Sequence, residues 1–302
     1  MKRKTELMTQ SPRLRLAIQK SGRLADGTQD LLKRCGLTMA RGRDKLFATV
    51  TELPIDVLFV RDDDIPGLVG DGVCDIGVVG ENVMREVDLS DHHEAAQVEL
   101  KLGFSRCRLM LAVEKSFEYG GAKDLDGLRV ATSYPGILGD FFERQGVGAR
   151  IVEMQGAVEV APRMGFADAV CDIVSTGATL DANGLKPVET VFESEAVLIR
   201  RPAPFEGRAA ETFASLLMRI NGVIQSRDAK YVMMNAPRSA LDAITELLPG
   251  ADAPTVLELA GETDKVAVHA VCSERVFWPT LEKLKAAGAS AILVLPIEKM
   301  ML

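Results

Sequence analysis

The chain has 302 residues, too many for one small domain and enough for two or three. With 47% apolar and 26% charged residues it has the balance of a soluble globular protein that buries a sizeable core. A net charge of −7 argues against a broadly basic nucleic-acid surface, and no run approaches the roughly 18 apolar residues of a membrane span, so neither partner is expected. Local basic loops still leave room for an anionic substrate.

The five cysteines are odd in number, and no pair has metal-ligand spacing. Cys74, Cys171 and Cys272 sit inside apolar runs and read as reduced core thiols of a cytosolic protein. The three histidines form no ligand pattern, and the His92–His93 pair reads as a solvated loop. "MKRKTELMTQSPR" is basic without an apolar segment, so it reads as a frayed extension rather than a secretory signal. The expected compartment is the cytoplasm.

In chain order, "LRLAI" (14–18) reads as a strand, "QKSGR" as a loop and residues 24–35 as a helix. "VLFV" (57–60) is a strand, and "RDDDIPGLVGDG" starts a helix with Pro in its first turn and one of Asp62–Asp64 as its cap. "CDIGVVG", "CRLMLAV", "LRVATS", "ARIVEM" and "AVCDIVS" are further strands. Short strands alternating with helices predict an α/β fold with mainly parallel sheet.

The chain echoes itself. Matching Cys74 to Cys171 sets Asp71 on Asp168, Asp75 on Asp172 and Gly80 on Gly177. "LRLAIQKSGRL" (14–24) resembles "LRVATSYPGIL" (128–138) in the same order. Two echoes predict two lobes of similar topology with ligands at the carboxyl ends of their strands. The strand in "SEAVLIRRPAP" (194–204) would return the chain to the first lobe. Lobe I is expected over 1–106 and 192–222, lobe II over 107–191 and a third domain over 223–302. That last segment reads strand, helix, strand, strand, helix, strand, the ferredoxin-like order.

"DIVSTGATL" ends a buried strand in Ser175, Thr176, Gly177, Ala178 and Thr179. Small residues let a phosphate approach backbone N–H groups, and the hydroxyls add donors. The same residues also suit a helix N-cap. Asp172 could reach a sugar diol or a metal. Lys20 and Arg23 flank Gly22, and Arg61 ends a strand; they read as phosphate-facing cations or as solvated surface charge.

Residues 159–180, "EVAPRMGFADAVCDIVSTGATL", resemble the signature of ATP phosphoribosyltransferase through Glu159, Gly165, Ala167, Asp172, Thr176, Gly177, Thr179 and Leu180. "QKSGRL", "RDDDIPGLV", "DIGVVGENV", "ATSYPGIL" and "LVLPIEKM" are also similar to that family, over roughly residues 13–302. The terminal domain makes the chain similar to the long form.

The resemblance implies a two-lobed core like that of periplasmic binding proteins and an ACT-like regulatory domain. It implies Mg2+-dependent condensation of ATP with 5-phosphoribosyl 1-pyrophosphate (PRPP) to N1-(5-phosphoribosyl)-ATP and pyrophosphate, in histidine biosynthesis. L-histidine is the implied inhibitor, and the implied assembly is a dimer that forms a hexamer. Carried onto this sequence, Glu159, Asp172, Thr176, Gly177, Ala178 and Thr179 would hold PRPP. Lys20, Arg23 and Arg61 would face the phosphates, and Asp75 and Asp172 would contact Mg2+. Asn235, Ala253 and Thr255 would meet histidine. No side-chain nucleophile is required, which suits a chain without a Cys/His or Ser/His pair.

A non-catalytic two-lobed anion-binding protein is the rival reading. A transcriptional effector would want a basic helix-turn-helix before the first lobe. The commoner phosphoribosyltransferases carry two adjacent acids before the loop, where Cys171–Asp172 supplies one.

Overall fold

The computed structural model describes residues 13–41, 46–90, 96–175, 177–248, 254–273 and 278–301. The chain divides into two compact units, Met1–Phe213 and Ala214–Leu302.

The first unit holds two sheets. β1 (Leu14–Gln19), β4 (Ile55–Val60) and β5 (Ile76–Gly80) form the parallel centre of one. Leu16, Ala17, Ile18, Val57 and Ile76 are buried, as expected of strands covered on both faces. β2 (Met39–Arg41) and β3 (Phe47–Val50) extend the sheet beyond β4; β12 (Ala196–Arg200) and β6 (Gln97–Lys101) extend it beyond β5. The second sheet has the order β11-β7-β10-β8-β9, from β7 (Cys107–Glu114), β8 (Arg129–Thr132), β9 (Arg150–Glu153), β10 (Ala169–Val174) and β11 (Leu185–Ser194). Helices α1 (Arg23–Arg34), α2 (Ile65–Gly70) and α3 (Glu81–Leu89) belong to the first lobe, and α4 (Pro135–Gln145) and α5 (Ala178–Ala182) to the second. The chain passes between the sheets twice, from β6 to β7 and back from β11 to β12.

The expected mainly parallel pairing is corrected. Only β1–β4, β1–β5, β8–β9 and β10–β8 are parallel among the described pairs of this unit. β7 and β12, the two strands that follow the crossings, enter antiparallel to β10 and β5. β11 adds a long antiparallel edge whose register shifts twice, and these shifts blur the alternation that would have announced it.

The internal repeat is real, but its register differs from the cysteine match. Asp75 donates its backbone N–H to the Arg15 carbonyl (2.9 Å), and its Oδ2 accepts the Arg15 backbone N–H (2.8 Å). Asp168 does the same with Arg129, at 2.8 and 2.9 Å. Both aspartates also accept from the arginine's own guanidinium. Each stands one residue before its strand, and the next residues pair alike, Leu16 with Ile76 and Val130 with Ala169. Asp75 therefore corresponds to Asp168. The place of Asp172 in the first lobe is taken by Val79.

α3 and α4 pack across the lobes. The Glu86 carboxylate accepts the N–H groups of Gly136 (2.6 Å) and Ile137 (2.9 Å) in the first turn of α4. Pro135 precedes them at N1, where its missing donor costs nothing. An anion at this end satisfies orphan donors and opposes the helix dipole.

The second unit begins within α6 (Gly207–Arg227). β13 (Ala229–Pro237), α7 (Leu241–Leu247), β14 (Thr255–Glu258), β15 (Lys265–Ser273), α8 (Trp278–Ala286) and β16 (Ser290–Pro296) follow. The antiparallel order β14-β15-β13-β16 is the ferredoxin-like one. Val232, Met234, Val266 and Val268 share a buried cluster with Ile244 and Leu248 of the α7 segment and Leu284 of α8.

Glu86→Ala should lower stability by about 1–2 kcal/mol, read as a fall in Tm by calorimetry. An unchanged Tm would mean that the α4 donors are satisfied equally well without the carboxylate.

Candidate functional site

The basic residues gather where the sheet polarity puts them. Lys20 follows β1 and donates its backbone N–H to the Val60 carbonyl at the end of β4 (2.9 Å). Arg61 comes next, so both stand at the carboxyl edge of adjacent parallel strands. Gly22 opens α1 at φ +99, a conformation that side chains strain to adopt. That turn makes Arg23 the first helical residue, and its Nη2 donates to Ser175 Oγ of the second lobe at 2.7 Å. The bond spans the opening between the lobes.

Asp62–Asp64 form a single turn of 3-10 helix before α2. Asp64 takes the N-cap position of α2, but its side chain makes no capping bond, so the expected carboxylate cap is corrected to backbone geometry. Burial, then the neighbouring Asp62 and Asp64, push the Asp63 carboxyl above its ordinary range.

On the facing side, Asp172 is the fourth residue of β10, half-buried, with Oδ1 accepting the Ile173 N–H at 2.7 Å. Burial raises its pKa first, and Glu159 adds to the rise. Glu159 lies in the 3-10 turn Val158–Val160 and is half-buried. Among the described residues neither carboxylate is paired with a side-chain cation. β10 ends at Val174, Ser175 follows it, and Gly177 at φ +79 caps the short helix α5. Arg23, Ser175, Gly177, Thr179 and Leu180 border a cavity of about 340 Å3. Ala178 and Thr179 are exposed beside it, and Thr176 lies outside the described residues.

The structure therefore brings together Lys20, Arg23 and Arg61 on one side and Glu159, Asp172, Gly177 and Thr179 on the other. It does not bring Asp75 to them. Asp75 stands at the amino end of β5, opposite the loop end, with its carboxylate between Arg15 (3.2 Å) and Arg201 (3.2 Å). Its expected metal role is corrected to a structural ion-pair role. Among the described residues no group of three metal-ligating side chains exists.

Several cleft residues escaped the sequence reading. A cavity of about 220 Å3 is bordered by Leu24, Asp62, Asn82, Val83, Tyr134 and Ile173, among others. Tyr134 lies in "ATSYPGIL" and Asn82 in "DIGVVGENV", both family-like segments, but neither residue is singled out by its chemistry. A further cavity of about 430 Å3 lies near the crossings. Its Lys101 and Arg106 are already paired with Glu81 (2.9 Å) and Glu195 (3.8 Å), so it shows no preference for anions.

In the second unit, Asn235 pairs with Ala267 and Thr255 with His269, which places both on the sheet face away from α7 and α8. β15 separates their strands. Ala253 lies outside the described residues.

A family model described as ATP phosphoribosyltransferase matches residues 61–222, and one described as the HisG C-terminal domain matches residues 226–299. An ATP phosphoribosyltransferase of Maricaulis maris (strain MCS10) is 56% identical over 293 residues, covering 96% of this chain and 99% of that protein. Among solved structures, the ATP phosphoribosyl transferase (HisG:HisZ) complex from Thermotoga maritima aligns with a TM-score of 0.59 at 27% identity, covering 70% of this chain and 98% of that one. A histidine kinase sensor domain with similarity to periplasmic binding proteins aligns at 0.46 and 14% identity, over 71% of this chain and 93% of that one.

Asp75→Asn should destabilise the chain by about 1–3 kcal/mol, because two arginines lose their charge partner. Affinity for a phosphate-bearing ligand should not change. Calorimetry and ligand titration on the same sample separate the two effects, and lost affinity at unchanged Tm would return Asp75 to the cleft.

Proposed function

This chain belongs to the long form of the ATP phosphoribosyltransferase family, and from that membership we propose that it condenses ATP with PRPP to N1-(5-phosphoribosyl)-ATP and pyrophosphate, the first step of L-histidine biosynthesis. The carrying observation is the folded signature. Glu159, Asp172, Gly177 and Thr179 converge at the carboxyl end of β10, and Arg23 reaches the same loop from the other lobe.

The division of charge suits the chemistry. The anomeric carbon gains oxocarbenium character as pyrophosphate leaves, so the reaction needs cations at the departing group and a carboxylate environment near the sugar. Lys20, Arg23 and Arg61 supply the first, with the 5-phosphate on the Ser175–Thr179 loop. Asp172 and Glu159 supply the second, within reach of the ribose hydroxyls. The adenine N1 attacks directly, with no enzyme nucleophile.

Asp172 and Glu159 also fit a hard divalent cation. They are half-buried carboxylates without a cationic partner among the described residues, and the Glu159 charge that raises the Asp172 pKa would be offset by a cation beside both. Asp172 and Glu159 would hold Mg2+ through carboxylate oxygens, the donors that this hard cation takes. When bound, Mg2+ supplies charge against the leaving pyrophosphate.

The C-terminal unit has its own core and a ferredoxin-like sheet, which supports regulation by L-histidine there, with Asn235 and Thr255 on the candidate face. Assembly from dimer to hexamer and a cytoplasmic location complete the reading. No described helix is long and apolar enough to cross a membrane.

Incubation with ATP and PRPP should yield phosphoribosyl-ATP and pyrophosphate in equal amounts, measured chromatographically. Binding of both without product would favour the anion-binding rival. Asp172→Asn should lower kcat/KM about 10- to 100-fold at neutral pH. Because the Asp172 pKa is raised, its ionised form is lost as pH falls through a value above the ordinary Asp range. The wild-type rate should show that acid limb, and the Asn variant should lack it.

A further inference from the structure

We propose that Tyr134 contacts the base of the nucleotide substrate, its hydroxyl proton aimed into the cleft by Asn82 and Ser194, which act as positioning residues. The inference rests on the reading of the cleft as the place where ATP meets PRPP.

Asn82 and Ser194 are buried, at 5% and 6% exposure, so their polar atoms need internal partners. The Asn82 backbone N–H donates to Ser194 Oγ (3.1 Å), and the Ser194 hydroxyl donates to Asn82 Oδ1 (2.7 Å). This exchange fixes the amide, leaving Nδ2 to donate to Tyr134 Oη at 2.9 Å. The phenol oxygen therefore acts as an acceptor toward Asn82, and its proton points elsewhere. Among the described residues nothing accepts that proton. The three residues come from α3, the end of β11 and the loop before α4, so the chain of bonds links both lobes at the cavity wall.

The cavity beside Tyr134 holds about 220 Å3, with Leu24, Val83 and Ile173 as apolar walls and Gln19, Arg23, Asp62 and Asn82 among its polar ones. A flat ring with a few edge polar atoms fits such a lining. Burial and then Asp63, Asp62 and Asp172 keep the Tyr134 hydroxyl protonated, so the field at that hydroxyl is negative, while Arg23 on the same cavity is turned to Ser175. Adenine presents an amine donor suited to that field and two ring acceptors, N3 and N7, suited to a hydroxyl. A bond to either acceptor leaves N1 free to attack the sugar carbon. Tyr134 transfers no proton in this scheme; it orients the ring.

The test measures KM for ATP and PRPP separately in Tyr134→Phe, an isosteric change. KM for ATP should rise about tenfold while KM for PRPP stays put. With the wild-type chain, either 7-deaza-ATP or 3-deaza-ATP should suffer a similar penalty against ATP, and Tyr134→Phe should erase it. Asn82→Asp retains the acceptor for Ser194 but turns the phenol proton inward onto a carboxylate. It should reproduce the loss for ATP, and adding Tyr134→Phe should cost nothing more. An unchanged KM for ATP in Tyr134→Phe, a deaza penalty that persists there, or additive losses in the double variant would overturn the assignment. Product formation by the wild-type chain tests the underlying reading independently.

Discussion

An arginine–aspartate clasp at the amino end of each lobe's central strands sets the polarity on which the cleft depends. In each lobe an aspartate entering a strand accepts both the backbone N–H and the guanidinium of the arginine that opens the parallel neighbour. The clasp fixes which residues stand level at one end, and so which loops emerge together at the other. The Arg129 guanidinium and backbone N–H hold the Asp168 carboxyl below its ordinary range, so this contribution is present above the ordinary Asp pKa and is lost as pH falls through the lowered one. Both partners are more than a third exposed, so solvent screening keeps the stabilisation small. The larger share comes from the buried aliphatic side chains of β1, β4, β5, β8 and β10, each contributing about 1.5–3 kcal/mol.

With the amino ends closed, the carboxyl ends are free for chemistry, and the two lobes divide it unequally. The first lobe offers Lys20, Arg23 and Arg61 along one edge. The second offers Asp172 and Glu159, and burial together with the Glu159 charge raises the Asp172 pKa. The Asp62–Asp64 turn adds negative field beside the small cavity, where the apolar walls and Tyr134 lie. A substrate pair made of a flat base and a polyphosphate sugar matches this partition better than any single anion does. The lobes are tied by Glu86 on α4, by Arg23 on Ser175 and by the Asn82–Tyr134 bond.

Much of this architecture could be read from local pattern. Strands such as "LRLAI" and "AVCDIVS" are continuous apolar runs between turn residues, and the structure places them within one or two residues. β2, β3, β6 and β11 were not legible: β2 and β3 have only three and four residues, β6 is an exposed edge strand, and the long β11 shifts register twice, so none carries a clean period. The paired aspartates were the instructive failure. Cys74–Asp75 and Cys171–Asp172 match as letters, but one Asp precedes its strand and the other is its fourth residue. Identity of letters does not report position along a strand; hydrogen-bond register does.

The sequence alone determined what depends on neighbours in the chain: the α/β alternation, the ferredoxin-like order of the last segment and the signature from Glu159 to Leu180, whose residues lie within one turn–strand–loop–helix passage. Tertiary structure alone decided the rest. It paired Asp75 with Arg15 and Arg201, set Arg23 on Ser175, and joined Asn82 to Ser194 and Tyr134. These partners lie 52 to 152 residues apart wherever they meet across the lobes. Such contacts are fixed by sheet register and by the two strand crossings, and no local propensity encodes either.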